Sequence, residues 1–343
     1  MARASKLVAV AFTVVAIGVV ASLLVALAAG SAAGAQKKAN KPQTSTCAGG
    51  KQMYPGDDLV AAAKACPPRT TFYVHDGDHL PVGEPIPVED GDVWEGVYSD
   101  TTRPQVKTLV SPQVFNVGNA SGVTIRGIAI SGGQGTDACK PTCGRGVHGG
   151  HNLTLENVRL YNNANQGAGG QHSGLLIRNS RLDHNGSPDF YLESSTASAA
   201  GVKSVNSFKV LNSYIHDNAW QGVWCDLECN TFEVRNSRLI NNGKSGVMYE
   251  ISSGPTVVEG NVIQGNGATA QELDRRPAGL IVSSSSNLDA YGNTFGGNVG
   301  AGFRAAQGNR GYTLTNILFH DNQLNDDSMI GCDRPGVSCK NNN

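Results

Sequence analysis

The chain has 343 residues, enough for one large domain or two small ones, and a formal net charge of −1. Because no basic block occurs beyond the lysines of residues 37–41, the composition gives no indication of nucleic-acid binding. The 43 glycines lack the three-residue period of collagen. Such a composition favours a fold with many tight turns.

The first 35 residues form a segment of their own. Two basic residues within the first six precede an apolar run over residues 7–29, and small residues at 33–35 provide a cleavage site. This order is typical of an export signal, but the apolar run is also nearly long enough to span a membrane. Either a cleaved signal peptide or a retained anchor places the folded part outside the cytoplasm, secreted or at the cell surface. Residues 36–46 are polar and predict a linker.

Eight cysteines occur as four close pairs, which supports an exported protein. No pair has the two-residue gap of a zinc ribbon, so local disulfides are favoured over a metal site. The predicted disulfide cysteines are Cys47, Cys66, Cys139, Cys143, Cys225, Cys229, Cys332 and Cys339.

Short runs of alternating apolar residues recur eight times, each ending at Asn or Gly, with spacings of 30, 22, 33, 24, 24, 32 and 24 residues. Such a period predicts a solenoid, whose repeats bury their apolar sides only by stacking. Residues 231–255 contain three short strand patterns, FEVR, RLI and GVMYEI, separated by turns. One repeat therefore predicts one coil of a parallel β-helix.

The repeats NSYIHDNAWQGVW and NSRLINNGKSGVMYEIS resemble the right-handed parallel β-helix proteins of the pectate-lyase-like superfamily, over roughly residues 70–330. The resemblance implies an all-β fold, a single-stranded right-handed parallel β-helix with three short strands per coil and about eight or more coils. The stretches GVWCDLEC and GVMYEIS are also similar to exported bacterial β-helix proteins whose coils read GLWxDI and GxxHEIS, with Tyr249 here in place of His. This architecture hosts lyases, hydrolases, epimerases and non-catalytic proteins, so the resemblance implies no single reaction.

The β-helix domain is expected over residues 47–343. Its N-terminal cap is predicted at about residues 47–96, with a short helix at 59–64 covering the apolar end of the first coil. Residues 71–96 are expected to form irregular short strands before the regular coils. The polar residues from about 324 to 343 predict a C-terminal cap or tail.

Equivalent residues of successive coils should stack one strand spacing, about 4.8 Å, apart. The inward column predicted for the middle strands is Leu160, Leu182, Ile215, Leu239 and Ile263. A column of stacked, hydrogen-bonded turn asparagines is predicted at Asn157, Asn179, Asn212 and Asn236.

Aligning the third strands on their glycines places Asp226 and Glu250 on adjacent rungs, both pointing outward and about 5 Å apart at the backbone. Two carboxylates this close do not both ionise easily, so one could act as an acid and the other as a base. Their separation is also near that of retaining glycosidases. Lys203 aligns beside Trp224 on the same face. The predicted catalytic residues are Asp226, Glu250 and Lys203.

An exposed Trp224 beside these charges has the composition of a sugar site, since an indole stacks on the apolar face of a sugar ring. The predicted substrate-binding residues are Trp224, Met248, Ser283 and Arg304. Three insertions, at residues 132–144, 187–200 and 268–278, fall in the turn before the third strand. Two of them are expected to wall a groove, because the coils of Asp226 and Glu250 between them have no insertion, and Trp224 and the two carboxylates would form its floor.

Three functions are in competition: an enzyme that cleaves or modifies a polysaccharide, a non-catalytic glycan-binding or cell-surface protein, and a structural spacer. In a lyase, Lys203 or Tyr249 would remove the proton next to a uronate carboxylate. In a glycoside hydrolase, Asp226 and Glu250 would be the acid and the nucleophile or base. His148 and His172 lie on earlier coils and are reserve candidates for the base.

The expected partner is a polysaccharide or a cell-surface glycan, with membrane contact only through the N-terminal segment, and the protein is expected to be a monomer. No cofactor is expected. No calcium-site pattern stands out, although Asp226, Glu228 and Glu250 could supply some of the oxygen ligands that calcium needs.

Overall fold

The structure is a computed structural model. It describes residues 47–80, 83–99, 102–135, 139–140, 142–190, 198–269, 276–309 and 311–343. These residues belong to one compact unit, Thr44–Asn343. The predicted signal or anchor (1–35) and linker (36–46) lie outside the described residues. Among those that are described, no helix is both long and apolar enough to cross a membrane.

The described chain consists mainly of short strands, and it also contains an α-helix, α1 (Leu59–Ala65), and a 3-10 turn at Pro188–Phe190. The strands of the first third are β1 (Lys51–Met53), β2 (Thr71–His75), β3 (Asp78–His79), β4 (Ile86–Pro87), β5 (Val93–Val97), β6 (Gln105–Lys107), β7 (Gln113–Ser121), β8 (Thr124–Arg126), β9 (Ala129–Ser131), β10 (Arg145–His151), β11 (Thr154–Glu156) and β12 (Arg159–Tyr161). The central strands are β13 (Gln166–Gly170), β14 (Leu175–Arg178), β15 (Arg181–Asp183), β16 (Ala200–Ser204), β17 (Phe208–Leu211), β18 (Tyr214–His216), β19 (Gln221–Asp226), β20 (Phe232–Arg235), β21 (Arg238–Ile240), β22 (Ser245–Glu250), β23 (Thr256–Glu259) and β24 (Val262–Gln264). The last strands are β25 (Ala278–Ser283), β26 (Ser286–Tyr291), β27 (Thr294–Gly296), β28 (Phe303–Ala306), β29 (Thr315–His320), β30 (Met329–Ile330) and β31 (Val337–Lys340).

These strands form three sheets, because each coil contributes one strand to each sheet. The first sheet runs β1-β2-β5-β8-β11-β14-β17-β20-β23-β26-β29-β31. The middle sheet runs β3-β6-β9-β12-β15-β18-β21-β24-β27, and the third runs β4-β7-β10-β13-β16-β19-β22-β25-β28-β30. Neighbouring strands pair in parallel, for example β11 with β14, β18 with β21 and β19 with β22. The predicted parallel β-helix is confirmed.

The helix predicted at the N-terminal end is confirmed as α1. Asp58 caps it by accepting from the amides of Val60 and Ala61, and the helix buries Leu59, Val60 and Ala63. The stretch at 71–96 is more regular than predicted, since β2 pairs over its full length with β5, and the first three residues of β5 pair with β8. The reason is that Thr71–His75 alternates partly exposed and buried residues and so fits the sheet. The polar end of the chain likewise adds two further rungs, β30 and β31.

The inside of the coil is a set of apolar columns. The predicted middle-sheet column from Leu160 to Ile263 is confirmed by the strand register, and each of its five residues is fully buried. Aromatic pairs such as Phe72 and Trp94, with ring centroids 4.1 Å apart, fill the same interior nearer the N-terminal end. The four predicted disulfides also form, joining Cys47–Cys66, Cys139–Cys143, Cys225–Cys229 and Cys332–Cys339.

The hydrogen-bonded asparagine column lies in other turns than predicted. Asn157, Asn179, Asn212 and Asn236 do adopt the left-handed φ near +50° that a tight bend needs, but the last three are exposed. The left-handed turn residues direct their side chains outward here. Asparagines at other turn positions point into the coil, where they can hydrogen-bond to their counterparts in the next coil. The buried column between the middle and third sheets is Asn163, Asn185, Asn218, Asn242, Asn266 and Asn298. A shorter one between the first and middle sheets is Asn261, Asn293, Asn322 and Asn342.

We predict that Asn242→Ala lowers the free energy of unfolding by about 2 kcal/mol. Asn242 Oδ1 accepts from the Asn218 amide at 3.3 Å and from Asn218 Nδ2 at 2.9 Å, and its own Nδ2 donates to Ile215 O at 3.2 Å. Urea denaturation followed by circular dichroism measures the loss. The control, Asn236→Gly, keeps the left-handed turn and should change stability by less than about 0.5 kcal/mol. Equal losses of stability in Asn242→Ala and Asn236→Gly would contradict a stabilising role of the buried asparagine column.

On the outer side of the middle sheet, a buried carboxylate lies among two arginines and a histidine. Asp183 accepts from Arg159 at 2.9 and 2.7 Å, from Arg181 at 2.8 Å and from His184 at 2.9 Å. Burial opposes ionisation of Asp183, but the hydrogen bonds from Arg159 and His184 outweigh it and hold its pKa at about 2. The ionised carboxylate therefore stabilises the fold.

The stability due to Asp183 should be complete above its unfolded pKa of about 4 and should be lost as the pH falls towards 2. The lowered pKa corresponds to about 2 kcal/mol at neutral pH. Asp183→Asn should remove that stability at pH 6 and flatten the slope of stability against pH between about 4 and 2. Urea unfolding over a pH series tests this. The exposed Asp189→Asn is the matched control and should leave the slope unchanged.

Candidate functional site

The strand register confirms the predicted column positions on the third sheet. Trp224 pairs with Met248 and Asp226 with Glu250, while Lys203 lies beside Trp224 on the preceding rung. The interleaved Val223 and Val247 belong to the core inside the coil, whereas Trp224 and Met248 belong to a separate apolar cluster. Asp226 and Glu250 thus occupy adjacent rungs of one column, as predicted.

The predicted open groove over Trp224 is wrong. Trp224 is only 6% exposed and Met248 5%. Both pack in the outer cluster with Phe190, which lies in the second insertion, and with Trp220 and Ile281. Burying large apolar side chains outside the coil is favourable, and Phe190 is an inserted residue that joins this packing. Trp224 and Met248 are therefore packing residues and do not offer a surface for stacking on a sugar.

Lys203 and Asp226 form an ion pair at the edge of this cluster. Lys203 Nζ lies 2.9 Å from Asp226 Oδ2 and 3.5 Å from the centroid of the Trp224 ring. Asp226 is 7% exposed, and within the described part of the chain no group donates to its Oδ1. A lysine held between a carboxylate and a ring is better placed to neutralise charge than to remove a proton.

The other residues proposed from the sequence do not join this pair. Tyr249 is fully buried, its hydroxyl lies 2.9 Å from Gly254 O and 2.8 Å from Ser286 O, and burial raises its pKa to about 12. The prediction that Tyr249 could act as the base is therefore wrong. Ser283 pairs with Glu250 on the following rung, and Arg304 pairs with Ile281 further along. Both are partly exposed, but neither lines the pocket described next.

A pocket of about 270 Å³ opens on the same sheet, one coil before the Trp224 cluster. The column of Trp224 continues through Lys203 and Gly169 to His148, so His148 and Lys203 lie two rungs, about 10 Å, apart. The pocket is lined by Thr142, Arg145, His148, Gln166, Gly170, Gln171, Ser198, Lys203 and Val205. The pocket lies over Gly169, which has no side chain. Gln166 Oε1 and Arg145 Nε occupy the space that a side chain at residue 169 would need.

Arg145 is the central cation of the pocket. It is 7% exposed, its Nε donates to Gln166 Oε1 at 2.9 Å, and Gln166 Nε2 donates to Ser198 O at 2.7 Å. Burial lowers the pKa of Arg145 to about 10, which still leaves it charged at neutral pH. Arg145 Nη1 lies 2.6 Å from His148 Nδ1. The geometry therefore places a buried, anchored guanidinium against an imidazole.

Both histidines at this end of the sheet are neutral at pH 7. Burial, followed by the charge of Arg145, lowers the pKa of His148. Burial, with smaller contributions from His148 and Arg145, lowers the pKa of the fully buried His172 to about 3. The described lining of the pocket includes the two basic side chains of Arg145 and Lys203 and a neutral imidazole, and Lys203 is also paired with Asp226. Such a lining favours an anionic ligand.

The sequence contained the signal for this pocket. The third strands read RGVH, QGAG, AGVK, QGVW, SGVM and AGLI, each aligned on its glycine. The alignment on these glycines places Lys203 in the column of Trp224. Over the two coils further towards the N-terminus, the same alignment adds Gly169, which has no side chain, and His148 to that column. Arg145 was missed because it precedes the glycine, where strict alternation does not predict an outward side chain.

Comparison with known proteins settles the family. Residues 113–295 match the family model described as right handed beta helix region. This chain belongs to the right-handed β-helix family. A search of the curated proteins by sequence finds no significant match.

Solved structures agree with this β-helix assignment. The periplasmic alginate epimerase AlgG is 12% identical with a TM-score of 0.50, over 80% of this chain and 76% of that one. The Streptococcus pneumoniae surface protein and adhesin PfbA is 11% identical with a TM-score of 0.51, over 79% and 80%. The Azotobacter vinelandii mannuronan C-5 epimerase AlgE6 A-module is 14% identical with a TM-score of 0.46, over 83% and 93%. At these identities the likeness concerns the fold alone.

The described residues contain no group of three or more His, Cys, Asp or Glu side chains that could hold a metal ion. Of the residues suggested as calcium ligands, Glu228 lies exposed on a turn, where the Tyr312 hydroxyl donates to it at 3.3 Å.

We predict that Lys203→Met lowers the free energy of unfolding by about 3 kcal/mol, because it leaves the buried Asp226 carboxylate without its cation. The double variant Lys203→Met with Asp226→Asn should lose clearly less. Urea unfolding of the parent, of Lys203→Met, of Asp226→Asn and of the double variant completes a double-mutant cycle. Lys209→Met is the control, since the half-exposed Lys209–Glu233 pair should be worth less than about 1 kcal/mol. Equal losses at positions 203 and 209 would refute a strong buried pair.

Proposed function

We propose that this protein binds an acidic polysaccharide along its third sheet and removes the proton next to the carboxylate of a uronate unit in the pocket. The observation that carries the proposal is that two cations, Arg145 and Lys203, line one pocket with the neutral His148. A uronate supplies the matching groups, namely a carboxylate for the cations and a weakly acidic C5–H for the base.

In the proposed reaction, Arg145 and Lys203 bind the carboxylate and stabilise the negative charge that grows on it as the proton leaves. His148 Nε2 takes that proton from C5. The carbanion then has two outcomes. If the C4–O bond breaks, the departing oxygen takes a proton and the product is an unsaturated sugar. If C5 takes a proton on its other face, the product is the epimer.

Hydrolysis is the less favoured enzymatic alternative. A glycosidase needs two carboxyl groups that flank the scissile bond. Asp226 is buried and bound to Lys203, so the pair with Glu250 presents at most one carboxyl group to a glycan. The positive charge around His148 also suits an anionic sugar better than a neutral one.

Glycan binding without catalysis is the second candidate. The pocket of about 270 Å³ is close to the lower limit for small-molecule sites, so it could hold one sugar unit of a longer chain. In that case Arg145 and Lys203 would anchor the carboxylate and His148 would only contribute a hydrogen bond.

Under either function, four disulfides support an oxidising compartment outside the cytoplasm, extracellular or at the cell surface.

Incubation with polymannuronate, polyguluronate and polygalacturonate in heavy water tests the proposal. Elimination gives an ultraviolet-absorbing product, and proton exchange at C5 introduces deuterium that mass spectrometry and NMR detect. His148→Gln should lower the rate at least about 100-fold while binding persists, and Arg145→Gln should weaken binding itself. His320→Gln, on the first sheet and far along the chain, is the matched control and should behave as the parent.

The pH profile adds a second readout. Because burial and Arg145 lower the pKa of His148, the acid limb of kcat/KM should lie below about 6.5, the ordinary value for histidine. Binding without product or deuterium would favour the non-catalytic function. Neither binding nor reaction with any of the three polyuronates would overturn the proposal.

A further inference from the structure

The buried asparagine column between the middle and third sheets contains a chemically labile sequence. The chain has three Asn–Gly pairs, and all three asparagines belong to this column: Asn185–Gly186, Asn242–Gly243 and Asn266–Gly267. In an open chain, glycine has no Cβ to hinder its amide nitrogen from attacking the side chain of the preceding asparagine. Asn–Gly is therefore the asparagine linkage that loses ammonia most easily. The other members of the column are followed by alanine or valine, at Ala164, Ala219 and Val299.

The fold requires glycine at each of these three positions. Gly186 and Gly267 have φ angles of +98° and +114°, a conformation that residues with a side chain rarely adopt. A Cβ at Gly243 would collide with the backbone carbonyl oxygen of Ala219. The packing of the coils therefore places the most reactive neighbour next to an asparagine that the column needs.

The folded coil holds the groups that deamidation would have to move. Each of the three glycine amides donates to the backbone carbonyl of the column asparagine one coil earlier, with Gly186 N 2.9 Å from Asn163 O, Gly243 N 2.9 Å from Asn218 O and Gly267 N 2.8 Å from Asn242 O. The three asparagine side chains are fully buried, and their Nδ2 groups donate to oxygens inside the coil. A buried, hydrogen-bonded amide neither meets water nor turns towards the glycine nitrogen.

We propose that Asn185, Asn242 and Asn266 are latent deamidation sites, closed in the folded coil, which react when the coil opens and whose products prevent that coil from forming again. In the opened chain the glycine nitrogen forms a bond to Cγ of the preceding asparagine. The Cγ–Nδ2 bond breaks, and Nδ2 leaves as ammonia with the proton of the glycine amide. Water then opens the cyclic imide at either carbonyl and gives aspartate or isoaspartate, so the net reaction is hydrolysis of an amide without any oxidant. This inference does not depend on the proposed function.

Either product is incompatible with the column. Aspartate at residue 242 would lack the Nδ2 hydrogens that now bond to Ile215 O and Asn266 Oδ1, so its carboxyl group would face two acceptors in a buried place. Isoaspartate would also lengthen the backbone by a carbon atom and displace the strand register. A carboxylate does fit where only an acceptor is needed, since Asp327 accepts from Asn298 N at 3.1 Å and from Asn298 Nδ2 at 2.6 Å.

Incubation of the full chain, with its disulfides intact, in mildly alkaline buffer with and without guanidinium chloride tests the closed state. Peptide mass spectrometry follows each asparagine by the mass gain from amide to acid. Conversion at residues 185, 242 and 266 should be at least about 100-fold slower in the folded protein, because only the small population of open coils reacts. Equal rates with and without denaturant would overturn the proposal.

The column supplies its own control for the effect of glycine. Asn218 makes the same kinds of bond, from Nδ2 to Leu182 O at 3.0 Å and to Asn242 Oδ1 at 2.9 Å, but it is followed by Ala219. In denaturant it should react at least about tenfold more slowly than the three Asn–Gly sites, because the Cβ of alanine hinders the attack. A rate at Asn218 equal to theirs would refute the assignment of the labile sites.

Refolding tests the effect of the products. Chains kept in denaturant for increasing times are diluted into buffer, and circular dichroism measures the folded fraction. This fraction should fall in step with conversion at the three sites, and the folded molecules should retain asparagine there. Folded molecules that carry the products in the same proportion as the whole sample would contradict the proposed loss of refolding.

Asn242→Asp isolates one of the products. Compared with Asn242→Ala, it should lose more stability towards urea or fail to fold, because it buries a carboxyl group against acceptors. The matched control is Asn236→Asp, at an exposed turn of the same coil, which should keep the urea midpoint of the parent. An Asn242→Asp protein as stable as the parent would overturn the proposal.

Discussion

The structure depends on the parallel alignment of each coil with the next. This alignment makes the neighbours of a residue its own counterparts one coil away, and it is enforced by close fits as well as by strand pairing. Asn218 and Asn242 bond to each other inside the turn, and the carbonyls of adjacent coils leave little room at the glycine column. A Cβ at Gly222 would lie 2.6 Å from Gly246 O. A slip of one residue would break these contacts in every coil at once.

The same alignment explains why chemistry concentrates on the outer side of the third sheet. Inward positions must be apolar in every coil because they share one core, whereas outward positions can vary from coil to coil. Along one outward column the chain presents an imidazole at His148, no side chain at Gly169, an ammonium at Lys203 and an indole at Trp224. The missing side chain at Gly169 lets Arg145 and Gln166 lie across the sheet. The pocket forms because Gly169 has no side chain and lies between His148 and Lys203 in this column.

Likeness of fold does not decide what such a pocket does. An epimerase and an adhesin have backbones comparable with this one at 11–12% identity. A fold of stacked coils does not imply one function, because the function depends on the side chains that a particular chain places on it. For this chain the informative contrast lies within one sheet. The Trp224 stretch is closed by apolar packing, while the His148–Lys203 stretch is open and cationic.

The sequence by itself determined the coil, the helix α1, the four disulfides and the pairing of Asp226 with Glu250. It could do so because a repeat converts distance along the chain into neighbourhood in space. The burial of Trp224, the ion pair of Lys203 with Asp226 and the choice of which asparagines bond were decided only by the tertiary structure. Those outcomes depend on where inserted residues such as Phe190 pack and on which way a turn side chain points, and the repeat period constrains neither.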